Sequence, residues 1–400
     1  MPEDGWLPGA FNQGWSYRER VGPDGAGMGL VAYYSAHHRH SPAEHWQQRL
    51  ANGEISRNGM VLQRDLMLQR GDRLVWRRAP WWEGPVPAVL PIRFEDGDLL
   101  VLDKPSGLPV LPAGGWLEHT VLRLLERRYG SDGAPIPRPV HRLGRFTSGL
   151  LVCARQPASR AWLSAQLRDS TAQLLAPAAG GAAPAQRPAA PGSPVPGERG
   201  DRARAMVPVV PSDGEAAPLE TPAPSDLAGS RPSPEGRGRA DATGGGARKV
   251  YRALLPAGGL DLAPGSSCTI AVPIGRHGHP KLGQVWAAGG AGALPAVSRL
   301  TLLEARAEGD LVEVVIESGR PHQIRIHCAA LGAPLLGDPL YRPGGLPNPA
   351  SLPGAGGYRL HALALRLRRP DGGVLDLWAP PPPLLRRRAD DPAPAPAAWR

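Results

Sequence analysis

Three short stretches of this chain gather side chains suited to phosphate binding and proton transfer. They are Asp103-Lys104-Pro105-Ser106-Gly107, then His141-Arg142-Leu143-Gly144-Arg145-Phe146-Thr147-Ser148-Gly149, and Gly319-Arg320-Pro321-His322-Gln323-Ile324-Arg325-Ile326-His327. Between the last two lies Lys249-Val250-Tyr251-Arg252-Ala253. Arginine forks match phosphate oxygens, and histidine and tyrosine can hold or move a proton near neutral pH. Metal chemistry is not indicated. His322 and His327 are five apart, whereas a helical zinc pair sits four apart so that both rings share a face. His37-His38-Arg39-His40 lacks a cysteine or carboxylate partner and reads as solvated. The glycine runs at 25–29 and 289–292 lack the Gly-Lys-Ser/Thr ending of a phosphate loop and are expected to be loops. Trp81-Trp82 suits either stacking on bases or stapling two units together. The chain has only three lysines, and two of them, Lys104 and Lys249, fall in these stretches, where an ammonium and a guanidinium are not interchangeable.

The elements that must position these groups are mostly strands. Apolar or alternating runs at 99–102, 150–153, 250–255, 269–272, 311–316, 360–367 and 374–378 suit a sheet with one covered face. Helices are expected at 120–129, 160–167 and 321–331, the last opened by Pro321 and closed by Gly332. The fold class that follows is α+β on a mixed, largely antiparallel sheet. Ahead of it, residues 41–80 read as a small module of one helix carrying Trp46 and Leu50 and short hairpins, with Arg49, Arg57, Arg64, Arg70, Arg73, Arg77 and Arg78 around them.

Composition sets the remaining bounds. Glycine (51) and proline (48) make up about a quarter of the 400 residues, so part of the chain is expected not to fold. Residues 171–247 are the clearest case: 43 of these 77 positions are Ala, Pro or Gly, none is aromatic, and eight acids nearly balance seven arginines. Residues 1–40 read as a flexible leader and 386–400 as a solvated tail, leaving 90–385 as the larger domain. A net charge of +10 fits a polyanion partner, although a biased genome could produce an arginine-rich chain on its own. Three cysteines without metal-site spacing argue against a disulfide framework, and no apolar run could span a bilayer. A soluble, cytoplasmic protein is expected, with no membrane contact, no cofactor, no metal and no obligate protein partner.

Taken together and in order, these stretches resemble the RluA-type RNA pseudouridine synthases. The opening Lys-Pro-x-Gly element matches 104–107, the His-Arg-Leu-Asp signature with its Thr-Ser-Gly matches 141–149, and the Gly-Arg-Pro-His-Gln-Ile-Arg stretch continues into Gly337-Asp338-Pro339-Leu340-Tyr341. Pro273-Ile274-Gly275-Arg276 and His361-Ala362 fall in the expected places. The resemblance implies a pseudouridine synthase domain, a shortened ribosomal-protein-like module before it, and isomerisation of uridine in ribosomal or transfer RNA.

One position departs. The family's nucleophilic Asp is Gly144 here, and no other carboxylate lies between Asp132 and Asp169. Glycine can neither attack nor take a proton. The same glycine resembles a plant and cyanobacterial branch of the family. A catalytically silent RNA binder is therefore the alternative reading. By resemblance, Arg142 helps displace the target nucleotide, Tyr251 stacks on the base and is a candidate proton acceptor, and Arg320 would pair with the absent carboxylate. Deprived of it, Arg320 should find another acid, be solvated, or bind phosphate. RNA contacts are expected from His141, Arg145, Lys249, His322, Gln323 and Arg325, and from Arg49 and Arg57 of the small module. Asp338 and Glu317 are the acids that could stand in, with turn fixing and strand-end pairing as their plainer roles.

Overall fold

The computed structural model describes residues 5–38, 41–131, 133–169, 247–316, 319–351, 356–369 and 371–389. All of the 171–247 segment except Ala247 lies outside the described residues, as do Arg39, His40, Glu317 and residues 390–400.

The small module is larger than its sequence suggests. Strand β1 (Trp15–Arg20) and helix α1 (Leu30–His37) precede helix α2 (Ala43–Ala51), strands β2 (Ile55–Arg57) and β3 (Met60–Val61), and strand β4 (Arg73–Arg78). The four strands form one antiparallel sheet in the order β1, β4, β2, β3. Residues 5–38 are therefore folded, which corrects the leader expected at 1–40. Helix α1 is short and apolar on nearly every side, so it shows no helical stripe. It is held by Leu30, Val31, Tyr33 and Tyr34, buried with Trp46, Leu74 and Trp76. Tyr34 stacks on Trp46 at 4.6 Å and Tyr17 on Trp76 at 4.8 Å. His38 stacks on Tyr34 at 5.4 Å rather than pointing to solvent, and among the described residues no cluster could hold a metal.

The larger domain is a ten-stranded sheet. Its principal strands are β5 (Ile92–Glu95), β6 (Leu99–Lys104), β7 (Thr147–Ala154), β8 (Arg248–Leu255), β9 (Ser267–Ile270), β10 (Ser298–Glu304), β11 (Asp310–Ile316), β12 (Leu360–Arg368) and β13 (Val374–Trp378). They run in the order β9, β10, β11, β8, β12, β7, β6, β5, with β13 also on β12. Helices α3 (Val121–Tyr129), α4 (Pro157–Asp169) and α5 (Gln323–Ala330) complete the frame. Thr120 caps α3 by accepting from the Arg123 amide at 3.3 Å, which satisfies one orphan donor of the first turn. The α+β class with a largely antiparallel sheet is thus observed.

Among these principal strands, only β7 and β12 pair in parallel, with Thr147 opposite Leu360 and Gly149 opposite Ala362. That register sets the loop before β7, residues 141–146, beside the chain that enters β12. Gly149 has φ +99, and a side chain there would run into the Ala362 backbone, so glycine is what lets the two strands approach.

Residues 385–388 are tied down as well. Leu385 packs with Leu254 and Leu311, the Arg306 guanidinium donates to the Arg386 carbonyl, and the Arg388 amide donates to Glu304 at 2.9 Å. Of the tail expected at 386–400, Arg386 and Arg388 are therefore bonded to the larger domain, and 390–400 lies outside the described residues. Trp81 acts as a staple, donating its indole N–H to the Gly115 carbonyl at 2.8 Å under the Arg78 guanidinium. Beside it, buried Glu83 accepts from the amides of Leu117, Glu118 and His119 and from the Asn12 side chain. Removing this one carboxylate strands four donors at the junction of the two units, at about 1 to 3 kcal/mol for each that stays buried. Glu83→Ala should therefore lower stability by at least ~2 kcal/mol in urea unfolding and open the 79–90 segment to protease. Wild-type stability would show that water replaces these bonds without loss.

Candidate active site

The loop before β7 and the chain before β12 meet at Gly144. Its φ lies outside the left-handed region, so its backbone would accept any residue. Space is what excludes a side chain: a Cβ at 144 would overlap the Tyr358 hydroxyl oxygen, with Tyr358 Cζ and Thr147 Oγ1 each at 3.4 Å. Gly144 is exposed, whereas Tyr358 is 2 % exposed. The tyrosine is held on three sides. Its hydroxyl lies 3.3 Å from Thr147 Oγ1, Phe146 meets its ring edge-on at 5.9 Å, and the Arg325 guanidinium stands 4.3 Å over its face. Asp338 fixes that guanidinium by two bonds of 2.7 Å and also accepts from the Leu340 amide. Asp338 therefore has the plainer of its two expected roles, locking a turn and a buried arginine.

His322, at the start of α5, has φ +56, a strained backbone for a non-glycine residue. Its Nδ1 lies 2.8 Å from the Tyr341 hydroxyl, which donates to the Trp286 carbonyl. The Tyr341 proton being committed, Nδ1 of His322 carries its own, and Nε2 keeps a lone pair. Burial, with the Arg325 and Arg142 cations nearby, holds the His322 pKa well below the usual histidine range. Arg142 is exposed. Tyr251, on β8 opposite Val314 and Ala362, is half-buried between the two main core clusters, and burial pushes its phenol up to about 12. Arg320 is half-buried, and its Nε donates to the Pro295 carbonyl at 3.2 Å. Among the described residues it has no carboxylate partner.

Several expected RNA contacts turn out to be scaffold. His141 Nε2 accepts from the Val152 amide at 3.0 Å, and burial with nearby Lys249 pulls its pKa down to about 3. Lys249 is buried, donates to the Leu167 carbonyl at 2.6 Å, and burial lowers its pKa to about 8. Its Nζ would lie 3.1 Å from a Cβ at Gly319, so that glycine leaves it room. Gln323 is buried and donates to the Val297 carbonyl and Ser298 Oγ. Arg325 is consumed by Asp338, and His327 is fully buried between Ser298 Oγ and the Val272 carbonyl. Arg145 lies over Trp116 at 4.3 Å and donates from Nε to the Gly107 carbonyl. Arg49 stacks over Trp46 and Trp76 at 4.3 and 4.6 Å, and Arg57 pairs with Asp72 at 2.6 Å, so neither is held out for phosphate. The motif residues remaining at the exposed side of the site are Arg142, Gly144 and, partly, Tyr251, Arg320 and His322.

Two residues were missing from the sequence-based set. Lys104 is fully buried and donates to the carbonyls of Pro105, Leu108 and Arg145 at 2.7 to 3.0 Å, joining the first motif to the second. Its presence in a lysine-poor chain was the available signal. Tyr358 gave none, because its meeting with Gly144 depends on strand pairing across more than 200 residues.

A family model described as RNA pseudouridylate synthase matches residues 98–173. An uncharacterized RNA pseudouridine synthase of Synechocystis is 33 % identical over 359 residues, covering 89 % of this chain and 95 % of that one. RNA pseudouridine synthase 5 of Arabidopsis thaliana is 31 % identical over 419 residues, covering 95 % and 96 %. Ribosomal large subunit pseudouridine synthase D of Pseudomonas aeruginosa is 29 % identical over 358 residues, covering 85 % of each.

The neutral histidines of this frame make it sensitive to acid. Burial depresses His141, His322, His327 and His361 below the ordinary 6.5. Such groups take up protons first in the unfolded chain, so the stability they confer is complete above pH 6.5 and is lost as pH falls towards 3, on the order of 1 kcal/mol per unit for each. Urea unfolding from pH 7 to 4 should show this slope, reduced in His141→Gln. A flat profile would contradict the neutral assignment.

Proposed function

The chain belongs to the RNA pseudouridine synthase family, and from that premise we propose that it isomerises uridine to pseudouridine in a structured RNA, ribosomal or transfer. The observation that carries this reading is the meeting of stretches far apart in sequence: the 141–149 loop touches Tyr358 at Gly144, Arg325 covers the Tyr358 ring, and Tyr251 on β8 lies opposite Ala362, the residue that Gly149 faces from β7. The reaction must break the N1–C1′ bond of a nucleotide stacked within RNA and rejoin the base through C5, so the nucleotide has to leave its stack. Exposed Arg142 is assigned to occupying the place it vacates. Tyr251 is assigned to stacking on the base as a neutral phenol, whose pKa burial pushes further up. Arg320, without a carboxylate partner among the described residues, is assigned to a backbone phosphate.

For the rest of the RNA, the small module offers a better surface than Arg49 and Arg57. In the β1/β4 ribbon, Arg20 lies opposite Arg73 and Ser16 opposite Arg77, with Arg18 on the same face. All four arginines are exposed, and among the described residues none has a carboxylate partner. Like charges facing one another across strands are unfavourable by a few tenths of a kcal/mol or more unless a polyanion neutralises them. We assign this face to RNA phosphates. The domain limits then follow the function: a module over 15–78 that grips RNA and a larger domain that holds the uridine.

Purified protein incubated with RNA tritiated at uridine C5 should release label to water, because isomerisation expels that hydrogen. RNA binding without release would contradict the enzyme reading. In salt titrations of RNA affinity, Arg18→Ala with Arg77→Ala should lower the slope of log affinity against log salt by about one unit per lost contact. Arg49→Ala and Arg57→Ala should leave it unchanged, and the reverse pattern would move the RNA surface to the helix side.

A further inference from the structure

We propose that Tyr358 stands in for the carboxylate missing at position 144, its hydroxyl oxygen being the nucleophile that attacks C1′ of the target uridine. This deepens the isomerase reading and rests on it. The argument begins from space. At 144 a side chain is excluded by one oxygen atom, the Tyr358 hydroxyl, which occupies the point where the side chain of an Asp would start. An oxygen from elsewhere in the chain thus stands at the root of the missing side chain.

The surroundings fit a fixed nucleophile. Tyrosine is among the side chains that form covalent intermediates, including in glycosyl transfer. The ring cannot swing away, since Arg325 covers its face at 4.3 Å, Asp338 locks Arg325, and Phe146 blocks an edge. Thr147 Oγ1, 3.3 Å from the hydroxyl, orients it. The ring is buried, and its oxygen abuts exposed Gly144. The alternatives are weaker: Asp338 already serves Arg325 and the Leu340 amide, and Tyr341 is committed to His322 and the Trp286 carbonyl.

The chemistry balances without a co-reactant. The phenol oxygen forms a bond to C1′ as the C1′–N1 bond breaks, its electron pair leaving with uracil, and the phenol proton passes to uracil N1. The intermediates are ribosyl-O-Tyr358 within the RNA and neutral uracil. Uracil turns to present C5, whose π electrons form the C5–C1′ bond while the O–C1′ pair returns to Tyr358 as phenoxide. The phenoxide then takes the C5 hydrogen as a proton, restoring the phenol and leaving pseudouridine. Exchange of the phenol proton with water releases the tritium of a C5-labelled substrate.

The test uses the full chain and total RNA, tritiated at uridine C5, from cells lacking the gene. Tyr358→Phe should cut label release at least about a hundredfold while filter-binding affinity for the same RNA stays within about twofold. Site-specific 3-fluorotyrosine at 358 keeps the ring's shape but acidifies its hydroxyl, so the pH dependence of release should move to lower pH. A purely structural tyrosine would not move it. Wild-type release by Tyr358→Phe, or an unshifted profile with the fluorinated residue, overturns the proposal. Absence of release from the unaltered chain would instead defeat the isomerase reading itself, which keeps the two failures distinct.

Discussion

A single oxygen atom decides the character of this site. The Tyr358 hydroxyl and any side chain at position 144 compete for the same volume, so the tyrosine and the glycine imply each other. The competition exists because β7 and β12 run parallel, which brings the loop ahead of one strand against the entry to the other. It is enforced because the tyrosine ring is clamped beneath Arg325, itself fixed by Asp338. Close-packed interiors tolerate little overlap, so the clash cannot be absorbed by a small shift of a ring covered on one face by Arg325 and met edge-on by Phe146. Around that point Arg142 is exposed and close enough to His322 to help hold it neutral, while Tyr251, Arg320 and His322 are half-buried.

Behind the cleft, buried cations act as fasteners. Lys104 has three carbonyl acceptors, which matches the three donors of an ammonium, and it joins the 104–108 turn to the Arg145 loop. Burial, with Arg145 nearby, lowers its pKa to about 7, so this fastening is weakest in alkaline solution. Lys249 closes a second gap against the end of α4 next to Gly319 and adds to the burial that keeps His141 neutral. A guanidinium, broad and planar, would fit neither cage. This explains why a chain with so few lysines keeps two of them here. It also explains why motif residues that look on paper like RNA contacts are mostly inside, where they hold the loops from which Arg142 and Gly144 emerge.

What the sequence made legible follows from local signals. The strands at 99–102, 150–153, 311–316 and 374–378 were marked by apolar or alternating runs, and the helix at 120–129 by its apolar spacing. Helix α1 was not, because an eight-residue helix buried on most sides has no polar face to set its period. The four exposed arginines of the ribbon were hidden because a register is needed to see that they share a face, and Arg49 and Arg57 look free only until the indoles and Asp72 are in place. Gly144 was legible as a missing carboxylate but not in its cause. Sequence suggests backbone freedom as the usual reason for glycine, whereas here the backbone is ordinary and the reason is a ring contributed from 214 positions later.

The mutual exclusion of residue 144 and the Tyr358 hydroxyl is tested most directly by a double-mutant cycle on stability. Gly144→Ala in the wild-type chain should cost several kcal/mol, since its methyl falls on the hydroxyl oxygen, whereas in the Tyr358→Phe background the nearest ring carbon is at 3.4 Å and the same change should be nearly neutral. The expected coupling is at least ~2 kcal/mol in urea unfolding, well above the ~0.5 kcal/mol within which independent sites add. Additive effects of the two substitutions would show that Tyr358 does not hold the space at Gly144 and would remove the foundation of the account.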